Sequence, residues 1–103
     1  MRMLLKANIP TTVGNAGLKD GSMMKNLGSV LEDLKPEAVY FYLENGLRTC
    51  LMVFDMEDAS QLPAAVEPFF LSMGSQITLS PVMNSEDFEK AGPSLGAVVE
   101  KYG

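Results

Sequence analysis

Residues 37–55, EAVYFYLENGLRTCLMVFD, constrain the fold more than any other stretch of the chain. Two runs rich in β-formers flank Asn45-Gly46, the pair that most readily takes the positive φ angles of a two-residue type I′ turn. The spacing predicts an antiparallel hairpin. In its first strand Val39, Phe41 and Leu43 alternate with Tyr40 and Tyr42, and in its second Leu51 and Val53 alternate with Cys50, Met52 and Phe54. We assign Val39, Phe41, Leu43, Leu51 and Val53 to the side that packs on helices.

A two-stranded hairpin is marginal on its own and needs further strands or helices to bury its apolar side. The rest of the chain supplies them. Residues 2–9 alternate, with Met3, Leu5, Ala7 and Ile9 on one face and Arg2, Leu4, Lys6 and Asn8 on the other, and Pro10 ends that strand. TTVGNAG reads as a loop, with Asn15 as a helix cap and Thr12 as its competitor. Met24, Leu27, Val30, Leu31 and Leu34 then recur at helical spacing up to Pro36. Gly21 and Gly28 are poor residues for that helix, and Gly28 suggests a close approach to a sheet. Asp58 with Gln61 forms a capping box that opens a second helix. Its expected stripe is Leu62, Val66, Phe69, Phe70 and Met73, with a kink at Pro68 and a C-cap at Gly74. SQITLSPVM gives a fourth strand, Ile77 and Leu79 inward and Thr78 and Ser80 outward, placed at an edge by Pro81. A capped, broken helix starting at Asn84 or Ser85 closes the sequence.

The order β-α-β-β-α-β plus a C-terminal helix is the split βαβ arrangement of ferredoxin-like α+β folds, with a four-stranded antiparallel sheet. At 103 residues it fills one domain, 1–103. Eight basic and thirteen acidic residues give a formal charge of −5, which opposes binding to a phosphate backbone. The single Cys50 has no internal disulfide partner, which fits a reducing cytoplasm. No window is apolar enough for a membrane span, and the N-terminal run is too short for a signal peptide. The absence of histidine removes the commonest general base and transition-metal ligand. We expect no metal and no cofactor.

This assignment places Leu4, Lys6, Asn8, Tyr40, Tyr42, Cys50, Met52, Phe54, Thr78 and Ser80 on the sheet face away from the helices. Half of these are strongly apolar or aromatic, a patch that monomers rarely leave bare. The simplest cover is a second copy related by a two-fold axis, making a barrel from two sheets. The whole chain resembles the small stand-alone proteins of the dimeric α/β-barrel superfamily, which holds muconolactone isomerases, antibiotic-biosynthesis monooxygenases and stress-responsive barrel proteins. The stretches VGNAGLKDG, DLKPEAVYF, ENGLRT, DMEDASQLPAAVEPFF and PVMNSEDFEKA resemble one uncharacterised bacterial family within it. The resemblance implies a homodimeric barrel and no assigned reaction. The haem-degrading members of that superfamily use a first-strand asparagine with a tryptophan and a histidine. Asn8 is the candidate for the asparagine, and the other two residues are missing from this chain.

Lys6, Asn8, Tyr40, Tyr42, Thr78 and Ser80 form the candidate ligand-binding set. One cation among neutral donors suits a small acidic or carbonyl-bearing organic molecule. The competing reading is a packed dimer seam in which Lys6 meets an acid; Glu86 and Glu100, carried over on a swapped tail, are the acids considered for it. Asn15 and Arg48 are candidates for the rim of the pocket, or a loop residue and a solvated strand-end charge. Asp55, Glu57 and Asp58 read as a solvated loop and cap rather than a cation site. Cys50 reads as a small buried filler rather than a reactive thiol. The RNA-recognition fold shares this topology, but RTCLMVFD lacks the spaced aromatics that stack bases. The expected function is therefore binding of a small organic acid or carbonyl compound, with cofactor-free isomerisation or oxidation as its catalytic extension. The alternative is a non-catalytic sensing or assembly module with a packed barrel.

Overall fold

The structure, a computed structural model, describes residues 1–103. Its strands are β1 (Arg2–Ile9), β2 (Ala38–Glu44), β3 (Leu47–Asp55) and β4 (Gln76–Pro81), and its helices are α1 (Thr11–Asp20), α2 (Ser22–Leu34), α3 (Leu62–Met73) and α4 (Ser85–Tyr102). The four strands form one antiparallel sheet in the order β2-β3-β1-β4. Chain order and strand order together make this a ferredoxin-like α+β fold. The hairpin closes as its sequence requires, with Asn45 at φ 51° and Gly46 at φ 77°.

Burial along β1 alternates strictly, and Met3, Leu5, Ala7 and Ile9 sit in the core beneath the helices. On β3, however, the core residues are Cys50, Met52 and Phe54, while Leu51 and Val53 face the other way. This reverses the assignment made from the sequence. The two-residue turn sets the register: Glu44 pairs with Leu47, Phe41 with Cys50 and Val39 with Met52, and directly paired residues share a face. The run Cys50 to Phe54 is apolar throughout, so the alternation within it carried no preference.

The segment read as a loop, residues 11–17, is helical, and the break comes at Gly21 with φ 82°. Its glycines serve packing. A Cβ on Gly14 would fall 2.7 Å from Arg48 Nη1, and one on Gly17 would fall 3.0 Å from Met23 Cβ. Gly28, by contrast, faces open space and brings nothing closer to the sheet. Met23, Leu27 and Val30 are the buried residues of α2. On α3 the stripe is Ala65, Phe69 and Met73 at i, i+4, i+8, and Leu62 and Phe70 lie outside it. Asp58 and Gln61 form the expected reciprocal cap, at the one-turn 3₁₀ helix 59–61 that leads into α3. β4 occupies an edge, as Pro81 requires.

The C-terminal helix is continuous rather than broken, running through Gly92, Pro93 and Gly96. Asn84 caps it by accepting from the Asp87 N–H at 2.9 Å. No residue of α4 is buried, and the molecule measures 57 × 28 × 20 Å because this helix stands away from the body. No helix is long and apolar enough to cross a membrane.

Candidate functional site

The helix-free face of the sheet follows from the register. β1 contributes Leu4, Lys6 and Asn8, opposite Val53, Leu51 and Thr49 on β3. Tyr40 and Tyr42 of β2 lie beyond Leu51 and Thr49. On the other side, Thr78 pairs with Lys6 and Ser80 with Leu4. The face thus has an apolar centre (Leu4, Leu51, Val53), tyrosines along one edge and hydroxyls along the other.

Its polar residues are joined by an acid that sequence reasoning did not include. Glu44, the last residue of β2, receives Lys6 Nζ at 3.1 Å and Asn8 Nδ2 at 3.0 Å. Asn8 Nδ2 also donates to Thr49 Oγ1 at 2.9 Å, and the Tyr42 hydroxyl donates to Glu44 Oε1 at 3.4 Å. Thr49 is buried, and its hydroxyl donates to the carbonyl of Leu47. The hydrogen bond from Asn8, followed by that from Lys6, holds the Glu44 carboxyl below the usual glutamate range. The side chains of Lys6 and Glu44 keep 29% and 30% of their surface exposed, so the pair is mostly desolvated but not sealed. The counter-charge of Lys6 therefore comes from its own chain, not from Glu86 or Glu100. Asp87 of α4 instead binds Arg2, as does Glu37. Period-2 alternation from Tyr42, with the turn register, was the signal that could have placed Glu44 on this face.

Of the six candidate pocket residues, Lys6, Asn8 and Tyr42 are brought into this one network. Tyr40, Thr78 and Ser80 share the face without entering it; Ser80 Oγ donates to the Pro81 carbonyl at 3.0 Å. Asn15 and Arg48 are brought together on the opposite side of the sheet. Arg48 pairs with Ile9 and Leu43, both on the helix side, and its Nη2 donates to Asn15 Oδ1 at 2.9 Å. Its Nη1 is buried beside Gly14 without a hydrogen-bond partner. They therefore do not rim the Lys6 cluster. Cys50 is fully buried, and burial pushes its thiol up to about 11.

The helix side carries a second feature. Phe41 and Leu43 point toward the helical layer, yet 60% and 73% of their surface is exposed because no helix reaches over edge strand β2. With Ile9, Met23, Met24 and Leu27 they line an open groove of about 440 Å³ between α2 and β2, and Arg48 is its one charged lining residue.

No protein-family model matches the chain. No curated protein matches it either. Among solved structures it is similar to the de novo designed protein Ferredog-Diesel, with a TM-score of 0.48 at 7% identity over 79% of this chain and 85% of that one.

Proposed function

We propose that this chain is the subunit of a homodimeric α/β barrel whose helix-free sheet face is enclosed by a second copy. The enclosed network of Lys6, Asn8, Tyr42 and Glu44 then binds a small organic molecule through a carbonyl group. What carries the reading is the Lys6–Glu44 pair, set at the border of an apolar field formed by Leu4, Leu51 and Val53. Such a field with a few convergent polar groups is the usual composition of a ligand site.

The in-chain acid narrows the ligand class. Glu44 is ionised at neutral pH and neutralises Lys6, so a free carboxylate arriving at the cluster meets a negative charge beside the positive one. A neutral carbonyl oxygen accepts from an N–H of Lys6 or from the Tyr42 hydroxyl without that repulsion. No reaction is assigned to the site.

Two measurements test this. Sedimentation should give twice the 11.2 kDa chain mass; a monomer at micromolar concentration sinks the barrel. Amide fragments and their carboxylate counterparts, titrated into the ¹⁵N-labelled dimer, should perturb Lys6, Asn8 and Tyr42 with the amides preferred. A second reading, a packed non-catalytic assembly module, is favoured by the hydrogen bonds that Glu44 accepts from Lys6, Asn8 and Tyr42. A dimer in which no fragment perturbs those residues decides for it.

A further inference from the structure

Three of the basic side chains, Arg2, Lys6 and Arg48, are partly withdrawn from solvent, and the others are exposed. Arg2 meets Glu37 and Asp87, and Lys6 meets Glu44. Arg48 meets no carboxylate. Its Nη2 donates to the neutral amide of Asn15, and its Nη1 is buried and donates to nothing. A guanidinium drawn off water is stable beside an anion, because a neutral amide offsets only part of the lost hydration.

The place of this cation gives it a use. Arg48 lies on the helix side of the sheet and is the one charged residue lining the groove between α2 and β2. A Cβ on Gly14 would meet Arg48 Nη1, Met23 Cε and Ile9 Cγ2 together, so the guanidinium stands at the inner end of the groove, against α1. Outward from it the walls are apolar, with Met24 and Leu27 on α2 and Phe41 and Leu43 on β2. Met24, Phe41 and Leu43 are held exposed there.

We infer that the groove binds a small apolar monocarboxylate, an alkanoic or arylalkanoic acid, with its hydrocarbon part between α2 and β2 and its carboxylate on Arg48. The inference does not rest on the barrel or on the Lys6 cluster. The groove opens on the helix side of the sheet, so enclosing the helix-free face leaves it accessible.

Dimensions and charge select this occupant. A volume of about 440 Å³ lies within the range of small-molecule sites. The walls run from Met23 to Leu27, about one helical turn, and from Phe41 to Leu43, about 7 Å of strand. That is too short to seat a helix or strand of another chain. One cation balances one negative charge, whereas a phosphate ester brings nearly two to a chain already at −5. A carboxylate also matches the planar fork of arginine through two parallel hydrogen bonds. A neutral molecule of the same shape gains the apolar contact and nothing from the charge.

Nη1 faces Gly14, so binding includes a small movement. The guanidinium is the flexible end of its side chain, and turning it from Gly14 toward the groove brings Nη1 to the carboxylate. What it gives up is the bond to Asn15, a neutral partner, for a charge-assisted pair of about twice the strength.

Octanoate and octanamide, titrated separately into the ¹⁵N-labelled full chain, test the site. Octanoate should shift the backbone amides of Met24, Leu27 and Leu43 and the Nε–H of Arg48 saturably, and bind at least tenfold more tightly than octanamide. Arg48→Met should abolish that preference and leave both probes equally weak. Leu43→Asp sets a competing carboxylate directly across from Arg48 at an exposed position, and should abolish octanoate binding while the hairpin resonances persist. It decides the matter if Arg48→Met fails to fold. Equal affinity of the two probes, no shift in the groove at millimolar octanoate, or octanoate binding that survives either substitution overturns the inference. So does octanoate that shifts Lys6, Asn8 and Tyr42 in place of the groove. Amide-selective shifts at those three residues bear on the helix-free face alone, so each site stands or falls by its own resonances.

Discussion

Lys6 Nζ lies 3.1 Å from Glu44, bridging from β1 past β3 to the end of β2, so that the ammonium in the first strand is neutralised within its own sheet. The pair explains how a strand whose inner face is wholly apolar can place a cation on its helix-free face.

The first prediction concerns its titration. Hydrogen bonds from Asn8 and then Lys6 hold the folded-state carboxyl of Glu44 below its ordinary value of 4.5. A depressed carboxyl stabilises the fold above the unfolded-state value, and that contribution is lost as pH falls through the lower folded value. Urea midpoints should therefore fall on acidification below about pH 4.5, and Glu44→Gln should flatten that part of the profile. At neutral pH Lys6→Met should lower the midpoint by leaving the carboxylate without its cation. The double substitution should lie closer to wild type than the sum of the single effects; strict additivity would show that the two groups are not coupled.

Glycines in the helices give the second prediction, because two of them differ only in what surrounds them. Gly28→Ala places a methyl group in open space within α2 and should stabilise the protein by about 0.5–1 kcal/mol. Gly14→Ala gains the same helical preference but drives a Cβ to within 2.7 Å of the Arg48 guanidinium. The guanidinium is the flexible end of its side chain and should yield, parting Arg48 from Asn15, so Gly14→Ala should gain less stability than Gly28→Ala. Chemical denaturation of the two variants, compared at equal slope, checks that Gly28→Ala is the more stabilising.

These glycines also mark what the sequence disclosed and what it concealed. The hairpin at Asn45-Gly46, the inward set of β1, the edge position of β4 and the caps at Asp58 and Asn84 all rest on local rules, and each is present. Gly14 and Gly17 were legible only as loop residues, since the groups they make room for, Arg48 and Met23, are brought there by tertiary packing. The candidate site was legible in the same uneven way. Alternation put Lys6, Asn8 and Tyr42 on one face, but their meeting at Glu44 depends on side chains reaching across β3, which no spacing rule along one strand encodes. Arg48 went to the opposite face because its side is set by pairing with Leu43 through the turn.

The third prediction uses Cys50. Its thiol is fully buried, and burial raises it to about 11, so almost no thiolate exists at neutral pH and the sulfur is shielded as well. A thiol reagent at pH 8 should label native protein only at the rate at which it unfolds, and label urea-denatured protein within minutes. Rapid labelling of the native state would mean that β3 opens locally, or that Cys50 faces away from the core.

The fourth prediction separates folding from association along β3, where neighbouring residues face opposite ways. Met52 has no exposed surface and packs among Leu5, Phe54 and Phe69 in the core cluster, whereas Leu51 lies on the helix-free face between Lys6 and Tyr40. Met52→Ala should cost about 2–5 kcal/mol of stability through the cavity it leaves. Leu51→Ala removes a comparable apolar group from a surface that each folded chain presents intact, so the monomer fold should lose well under half as much. Its larger effect should fall on self-association, which the contact between two sheet faces governs. Denaturation and sedimentation equilibrium on the two variants therefore give opposite rankings. If Leu51→Ala proves as damaging to the fold as Met52→Ala, both sides of β3 are buried within one chain, and the barrel has no exposed face on which to form.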